Sequence, residues 1–136
     1  PSARPAPPAG PPERTVERPV RADQALLYRL TGDRNPLHAD PVFARTAGFD
    51  RPVLHGLCTY GITLKAVVDT LLDGDVTRVR SYGARFASVV YPGETLRVRM
   101  WRNEDGGGGG GAVRVAVSAV ERDDAPVLAD AVVEHS

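Results

Sequence analysis

The chain has 136 residues, 42% of them hydrophobic, which suits one domain with a single core and leaves no room for a second. Basic and acidic residues both number 17, so no overall field would attract nucleic acid or an anionic membrane surface. No apolar run approaches the length of a membrane span, and we expect no signal peptide before the domain. The single cysteine, Cys58, excludes an internal disulfide and a multi-cysteine metal site, so a reducing cytoplasm is the expected compartment.

The start of the chain differs in composition from the rest. Residues 1–14 hold six of the 12 prolines, together with alanine, serine and glycine, and such a segment buries little apolar surface. We therefore expect a flexible linker at 1–14 and one folded domain at 15–136. Within the domain, residues 21–30 place apolar side chains at helical spacing, and Gly32 just beyond them predicts the end of this first helix.

A second, shorter helix is predicted from its end signals. Asp40 is a preferred helix N-cap, Pro41 suits the first helical position, and Gly48 suits the residue just past the end. Phe43 and Ala47 are expected to form its apolar face.

The remainder of the chain predicts one long helix and then a sheet. Residues 53–72 are apolar on nearly all sides, which indicates a single buried helix. From residue 79 to 134 the apolar positions alternate, which predicts four strands, two of them joined by the six glycines at 106–111. An antiparallel sheet wrapped around one long central helix is an α+β arrangement, the hot-dog fold.

The candidate active site is the segment at residues 31–39, which surrounds two proton-carrying side chains with turn-forming residues. Gly32 permits backbone conformations closed to other residues, and the proline after Asn35 disfavours a helix there. An ordered loop is therefore expected, in which Asp33 and His38 converge as they could not on a helix. A carboxylate and a neutral imidazole aimed at one water could activate it.

Residues 32–38 read Gly-Asp-Arg-Asn-Pro-Leu-His, residues 55–59 read His-Gly-Leu-Cys-Thr, and residues 91–96 read Tyr-Pro-Gly-Glu-Thr-Leu. Together these segments resemble the MaoC-like, or (R)-specific enoyl-CoA hydratase 2, family, and most closely the C-terminal half of two-domain hydratase 2. The whole set of matching segments is 28–38, 40–41, 48–50, 51–59, 84–86 and 90–96.

The resemblance implies addition of water to trans-2-enoyl-CoA to give (3R)-3-hydroxyacyl-CoA, or the reverse dehydration, without a cofactor. In this scheme Asp33 and His38 are catalytic and hold the attacking water. The backbone N–H of Gly56, at a helix N-terminus, would stabilise the enolate oxygen, a position that the helix dipole also favours. Asn35 is a candidate for positioning Asp33 or the substrate, although an asparagine before proline is also ordinary turn chemistry.

Two further residues near this site invite a functional reading. His55 could serve as a second base, or as a metal ligand with Asp33, His38 and Asp40. Three histidines and no cysteine cluster make a metal site improbable, so we expect no metal and expect His55 to cap or orient the central helix. Cys58 is expected to be a small core residue, because hydration needs no nucleophilic thiol.

Other activities and partners are compatible with the same sequence. The rival enzymes are a hot-dog thioesterase and a 3-hydroxyacyl-carrier-protein or polyketide dehydratase, and a non-catalytic acyl-thioester-binding domain is the non-enzymatic alternative. The Asp33 to His38 loop favours addition or removal of water. The expected partners are an acyl-CoA thioester and a second hot-dog domain, from the same polypeptide or a homodimer, because a single hot-dog leaves a sheet edge unpaired.

Overall fold

The computed structural model describes residue 8, residues 10–106 and residues 110–136. Most of the predicted linker and the centre of the glycine run therefore lie outside the described residues. No helix within the described ranges is long and apolar enough to cross a membrane. The helices are α1 Gln24–Tyr28, α2 Pro41–Thr46 and α3 Gly56–Leu71, and the strands are β1 Arg14–Pro19, β2 Val79–Phe86, β3 Thr95–Gly106, β4 Gly110–Ala119 and β5 Ala125–His135.

The strands form one antiparallel sheet in the order β1-β3-β4-β5-β2, with α3 packed against it, so the predicted hot-dog fold is confirmed. The four expected strands are β2 to β5, and β1 is a fifth that the sequence pattern did not predict. Arg14 pairs with Met100 at one end of β1, and Pro19 with Thr95 at the other. The N–H of Glu13 also donates to the Met100 carbonyl at 2.9 Å, so pairing begins inside the segment predicted as linker.

The core lies between the inner face of the sheet and one side of α3. Alternate residues of the two central strands are buried, as the period-two pattern predicted. On β3 and β4 they are Leu96, Val98, Met100, Val113, Val115 and Val117, and on α3 they are Cys58, Thr59, Thr63, Ala66, Val67, Val68 and Leu71. The predicted placement of Cys58 in the core is therefore confirmed.

Two expectations drawn from the apolar run at 53–72 are wrong. The helix begins not at residue 53 but at Gly56, the helix N-terminus expected for the oxyanion donor, because the residues before it are extended and bonded to neighbouring segments. The Leu54 N–H donates to the Val90 carbonyl at 2.7 Å, and the Val53 N–H donates to the Leu37 carbonyl at 3.2 Å. The helix is also not covered on all sides, since Leu57 is 65% exposed and the single sheet buries only one side.

The two short helices agree with their predicted ends better than with their predicted faces. α1 is shorter than residues 21–30 but gives way to a helical turn that ends at Gly32, whose φ is 124°. The Asp40 carboxylate caps α2 by accepting the N–H groups of Val42 and Phe43. The side of α2 that packs inward is that of Ala44. Phe43 is 45% exposed and Ala47 is also exposed, so the expected apolar face is wrong.

A buried ion pair fixes the connection between β2 and β3. Glu94 is 4% exposed, and its carboxylate accepts from Arg122 Nε at 2.7 Å and from the Tyr91 N–H at 2.7 Å. The same guanidinium lies over the Tyr91 ring, 5.3 Å from its centroid. Because this connection contributes residues 88–90 to the cavity described below, the ion pair helps to set the shape of that cavity.

Candidate active site

The loop between α1 and α2 is held by its own side chains. The Asp33 carboxylate accepts the Asn35 N–H at 3.3 Å, and the Asn35 side-chain oxygen accepts the Leu37 N–H at 3.0 Å. A short 3-10 turn, Pro36–His38, follows. The predicted loop is therefore present, with Asn35 capping the turn, and a contact between Asn35 and substrate stays a prediction.

One hydrogen bond fixes the tautomer of His38. Its Nδ1 lies 2.7 Å from the Val53 carbonyl oxygen, which can only accept, so Nδ1 carries the proton. In the neutral ring Nε2 then has a free lone pair. This is the protonation state that a general base requires.

The structure brings Asp33, His38 and His55 together. One oxygen or nitrogen atom from each lies within 4.8 Å of one from each of the other two. A water between two acceptors at ordinary hydrogen-bond lengths fits this spacing. Asp33 and His38 thus converge as the loop interpretation requires, and their catalytic roles, like the expected absence of a metal at this cluster, stay predictions.

The side chain of His55 does not cap the central helix, which was one of the two roles that we expected for it. It precedes the first residue of α3, but its side chain makes no capping hydrogen bond to the helix. Its Nε2 lies 3.1 Å from the backbone carbonyl oxygen of Asp33, and its ring stacks on His38 with centroids 3.7 Å apart. Burial lowers the pKa of the His55 imidazole, which favours its neutral form. The sequence reasoning missed this link to the loop, because only the folded chain brings the two segments together.

An apolar cavity of about 350 Å³ opens beside His38 and the start of α3. Gly56 lines it, and as the first helical residue Gly56 has an N–H without an acceptor inside the helix. A Cβ at this position would lie 3.1 Å from the Phe86 ring, so glycine leaves the ring room. The other lining residues are Leu37, Val53, Leu54, Thr59, Ala87, Ser88, Val89, Val90 and Val127.

His38 also lines a second cavity, of about 210 Å³, together with Ala25, Leu26, Arg51 and Pro92. The histidine therefore lies between two cavities. A third cavity, of about 200 Å³, is lined by Arg99, Ser118 and Asp124, and His38 is not among its lining residues. We therefore place the candidate active site at the first two cavities.

The fold and this site define a class: a hot-dog domain with an aspartate and a histidine converging at the N-terminus of its central helix. The family described as "MaoC like domain" matches residues 4–123. The chain belongs to this MaoC-like family, so the resemblance seen in the sequence motifs is confirmed.

Individual relatives agree with this assignment. The chain is 59% identical over 117 residues to "Enoyl-CoA hydratase ChsH3" of Mycobacterium tuberculosis, covering 86% of this chain and 39% of the relative. It is 52% identical over 107 residues to "3-hydroxyacyl-thioester dehydratase Y" of the same organism, covering 76% of this chain and 37% of the relative. The chain thus spans under half the length of either relative.

A solved structure shows the same fold in a much larger protein. The full-length peroxisomal multifunctional enzyme type 2 from Drosophila melanogaster superposes with a TM-score of 0.88 at 38% sequence identity. The superposition covers 98% of this chain and 24% of that chain. The residues described here therefore correspond to one module of that enzyme.

Proposed function

We propose that this chain adds water across the 2,3-double bond of a trans-2-enoyl-CoA to give a (3R)-3-hydroxyacyl-CoA, or catalyses the reverse dehydration. The observation that carries this proposal is the convergence of the Asp33 carboxylate and the His38 ring, with its free Nε2, beside an apolar cavity and the Gly56 N–H. The names of the two relatives, an enoyl-CoA hydratase and a 3-hydroxyacyl-thioester dehydratase, support the same reaction.

The proposed chemistry divides the work among three residues. Asp33 holds the water, and His38 Nε2 accepts its proton as the water oxygen bonds to carbon 3. The electrons of the double bond move towards the thioester oxygen, where the Gly56 N–H stabilises the developing negative charge. A proton is then returned to carbon 2, so that water is added in full and the protein regains its starting state.

The acyl chain is proposed to lie in the larger cavity, whose lining is mainly apolar. The carrier could be CoA or an acyl carrier protein, since both present the thioester on a pantetheine arm. Likeness to a "3-hydroxyacyl-thioester dehydratase" favours testing the second carrier as well.

Absorbance of the conjugated double bond tests the function directly. We expect the native polypeptide to remove the absorbance of crotonyl-CoA and of longer trans-2-enoyl-CoA thioesters, and to give the (3R) product on chiral analysis. Turnover of the same acyl groups attached to an acyl carrier protein, measured in the same way, shows which of the two carriers the protein prefers. Thioester hydrolysis, or binding without turnover on every chain length, would contradict the proposal.

A second hot-dog domain is proposed as the partner that completes this one. β1 and β2 are the two edges of the sheet, and unpaired edges invite association. Apolar side chains are exposed close to the site, notably Leu57 on α3 and Phe86 at the end of β2. The partner would be another part of the same polypeptide or a second copy. We also propose a cytoplasmic location, which suits the free thiol of Cys58.

Dilution tests whether association matters. If the partner is a second copy, we expect this chain to be a dimer in sedimentation experiments and to lose turnover on dilution in parallel with dissociation. If the partner is a preceding domain of the same polypeptide, the isolated chain should be poorly active, and adding that domain should restore turnover. A stable monomer with undiminished turnover on long enoyl-CoA substrates would contradict both forms of the proposal.

A further inference from the structure

We propose that His55 is a positioning residue of the hydration site, whose imidazole holds the Asp33 loop and the His38 ring in their working arrangement. This inference rests on the proposed function, because it assigns His55 a role in the same chemistry. The sequence alone placed His55 outside that chemistry.

The first contact joins the start of α3 to the catalytic loop. His55 Nε2 lies 3.1 Å from the Asp33 carbonyl oxygen, so Nε2 donates and carries the ring proton. This is a contact between residues 22 positions apart in the chain. It restrains the backbone of the same residue whose carboxylate is proposed to hold the water.

The second contact restrains the base. The His55 and His38 rings stack with an angle of 22° between their planes, while the Val53 carbonyl holds one edge of the His38 ring. A covered face and a fixed edge together determine the direction of the His38 Nε2 lone pair. Tyr28 packs against His55 with centroids 4.6 Å apart, which keeps the His55 ring in place.

The other ring nitrogen of His55, Nδ1, is buried without a hydrogen-bond partner, so the choice of histidine at this position needs a reason. His55 is 2% exposed, and its Nδ1 is one of two buried side-chain polar atoms without a hydrogen-bond partner in the described part of the chain, the other being Thr63 Oγ1. A phenylalanine would fill similar space without burying an unpaired nitrogen. What histidine adds is the Nε2–H donated to Asp33.

The two contacts can be separated by substitution. His55→Phe keeps a ring for stacking and removes the donor, whereas His55→Gln places an amide N–H near the position of Nε2. We expect His55→Phe to lower kcat by about 10- to 100-fold with KM changed by less than about threefold. We expect His55→Gln, which restores the donor, to recover kcat to within about fivefold of the wild type, and the remaining loss to reflect the missing ring stack.

A matched control separates positioning from general destabilisation. Val67 is fully buried on α3 and lines none of the described cavities, so Val67→Ala should lower the melting temperature and leave kcat unchanged. Wild-type kcat in His55→Phe would overturn the inference. So would an equal loss of kcat in His55→Phe and His55→Gln, or in a Val67→Ala variant of the same melting temperature.

A second measurement needs no turnover. Long-range ¹H–¹⁵N spectra report which imidazole nitrogen carries the proton, and the chain has only three histidines. Because the donor holds the loop that also carries His38, we expect the His38 Nδ1–H signal in wild type and His55→Gln. We expect its loss or broadening in His55→Phe, in which the loop is released even though a ring remains for stacking. An unchanged His38 signal in His55→Phe would overturn the inference. Failure of the wild type to hydrate any enoyl thioester would instead refute the proposed function, leaving the spectra to decide the positioning.

Discussion

Replacing either proton-handling residue, by Asp33→Asn or His38→Gln, is expected to lower kcat/KM for enoyl-CoA hydration by about 10² to 10⁴. Each substitution is nearly isosteric, and neither side chain belongs to the buried core, so the fold should be retained. Asp33→Asn replaces one carboxylate oxygen by an amide donor, and His38→Gln removes the Nε2 lone pair that is proposed to take up the proton. Steady-state kinetics and melting temperatures of the same preparations measure the two effects.

The double variant tests whether the two residues act as a unit. Because both are proposed to contact one water, the combined loss should be much smaller than the product of the two single losses. Asp69→Asn makes the same chemical change at an exposed residue of α3 that pairs with Lys65, and it should leave kcat/KM unchanged. Independent, fully multiplicative losses would show that Asp33 and His38 do not share a water.

Removal of a single backbone N–H, by Gly56→Pro, is expected to lower kcat by about 10² to 10³ relative to Gly56→Ala. Proline is well tolerated at the first position of a helix. The preceding residue, His55, has φ −60° and ψ 133°, which is the extended conformation that proline favours before it. The helix should therefore form in both variants, and the difference in kcat isolates the proposed oxyanion donor.

The alanine variant is the control for the added Cβ. Both substitutions add a Cβ, which must displace the Phe86 ring from 3.1 Å, and both should change KM through that shift. Only proline also removes the N–H. Equal kcat values for Gly56→Pro and Gly56→Ala would assign the stabilisation of the thioester oxygen to another group.

The features that were predicted correctly are determined by residues close together in the sequence. The Asp40 cap, the turn after Asn35 and the alternating strands follow from local conformational preference and from burial of one face. The fold as a whole could also be predicted from the sequence. One apolar helix and a set of alternating strands have few arrangements that bury both the helix surface and the apolar face of the sheet.

The parts that escaped prediction depend on segments distant in the chain. β1 offers one partly buried valine, Val16, within a polar run, and its existence depends on pairing with β3 some 80 residues away. One side of α3 is exposed because the single sheet covers only the other side. The pattern of apolar residues along the helix does not show how much of it the sheet covers. The ring stack of His55 on His38 requires the folded positions of two loops, so the motif identified both histidines without showing their contact.

The carbonyl of Val53 has a consequence for any attempt to move this chemistry into another protein. It anchors the His38 ring only three residues before Gly56, at the start of α3. The base and the proposed oxyanion donor are thus set by one short stretch of backbone and would shift together. A transplanted Asp33 to His38 loop would carry the acid and base groups without their alignment, so the smallest portable unit also includes residues 53–56.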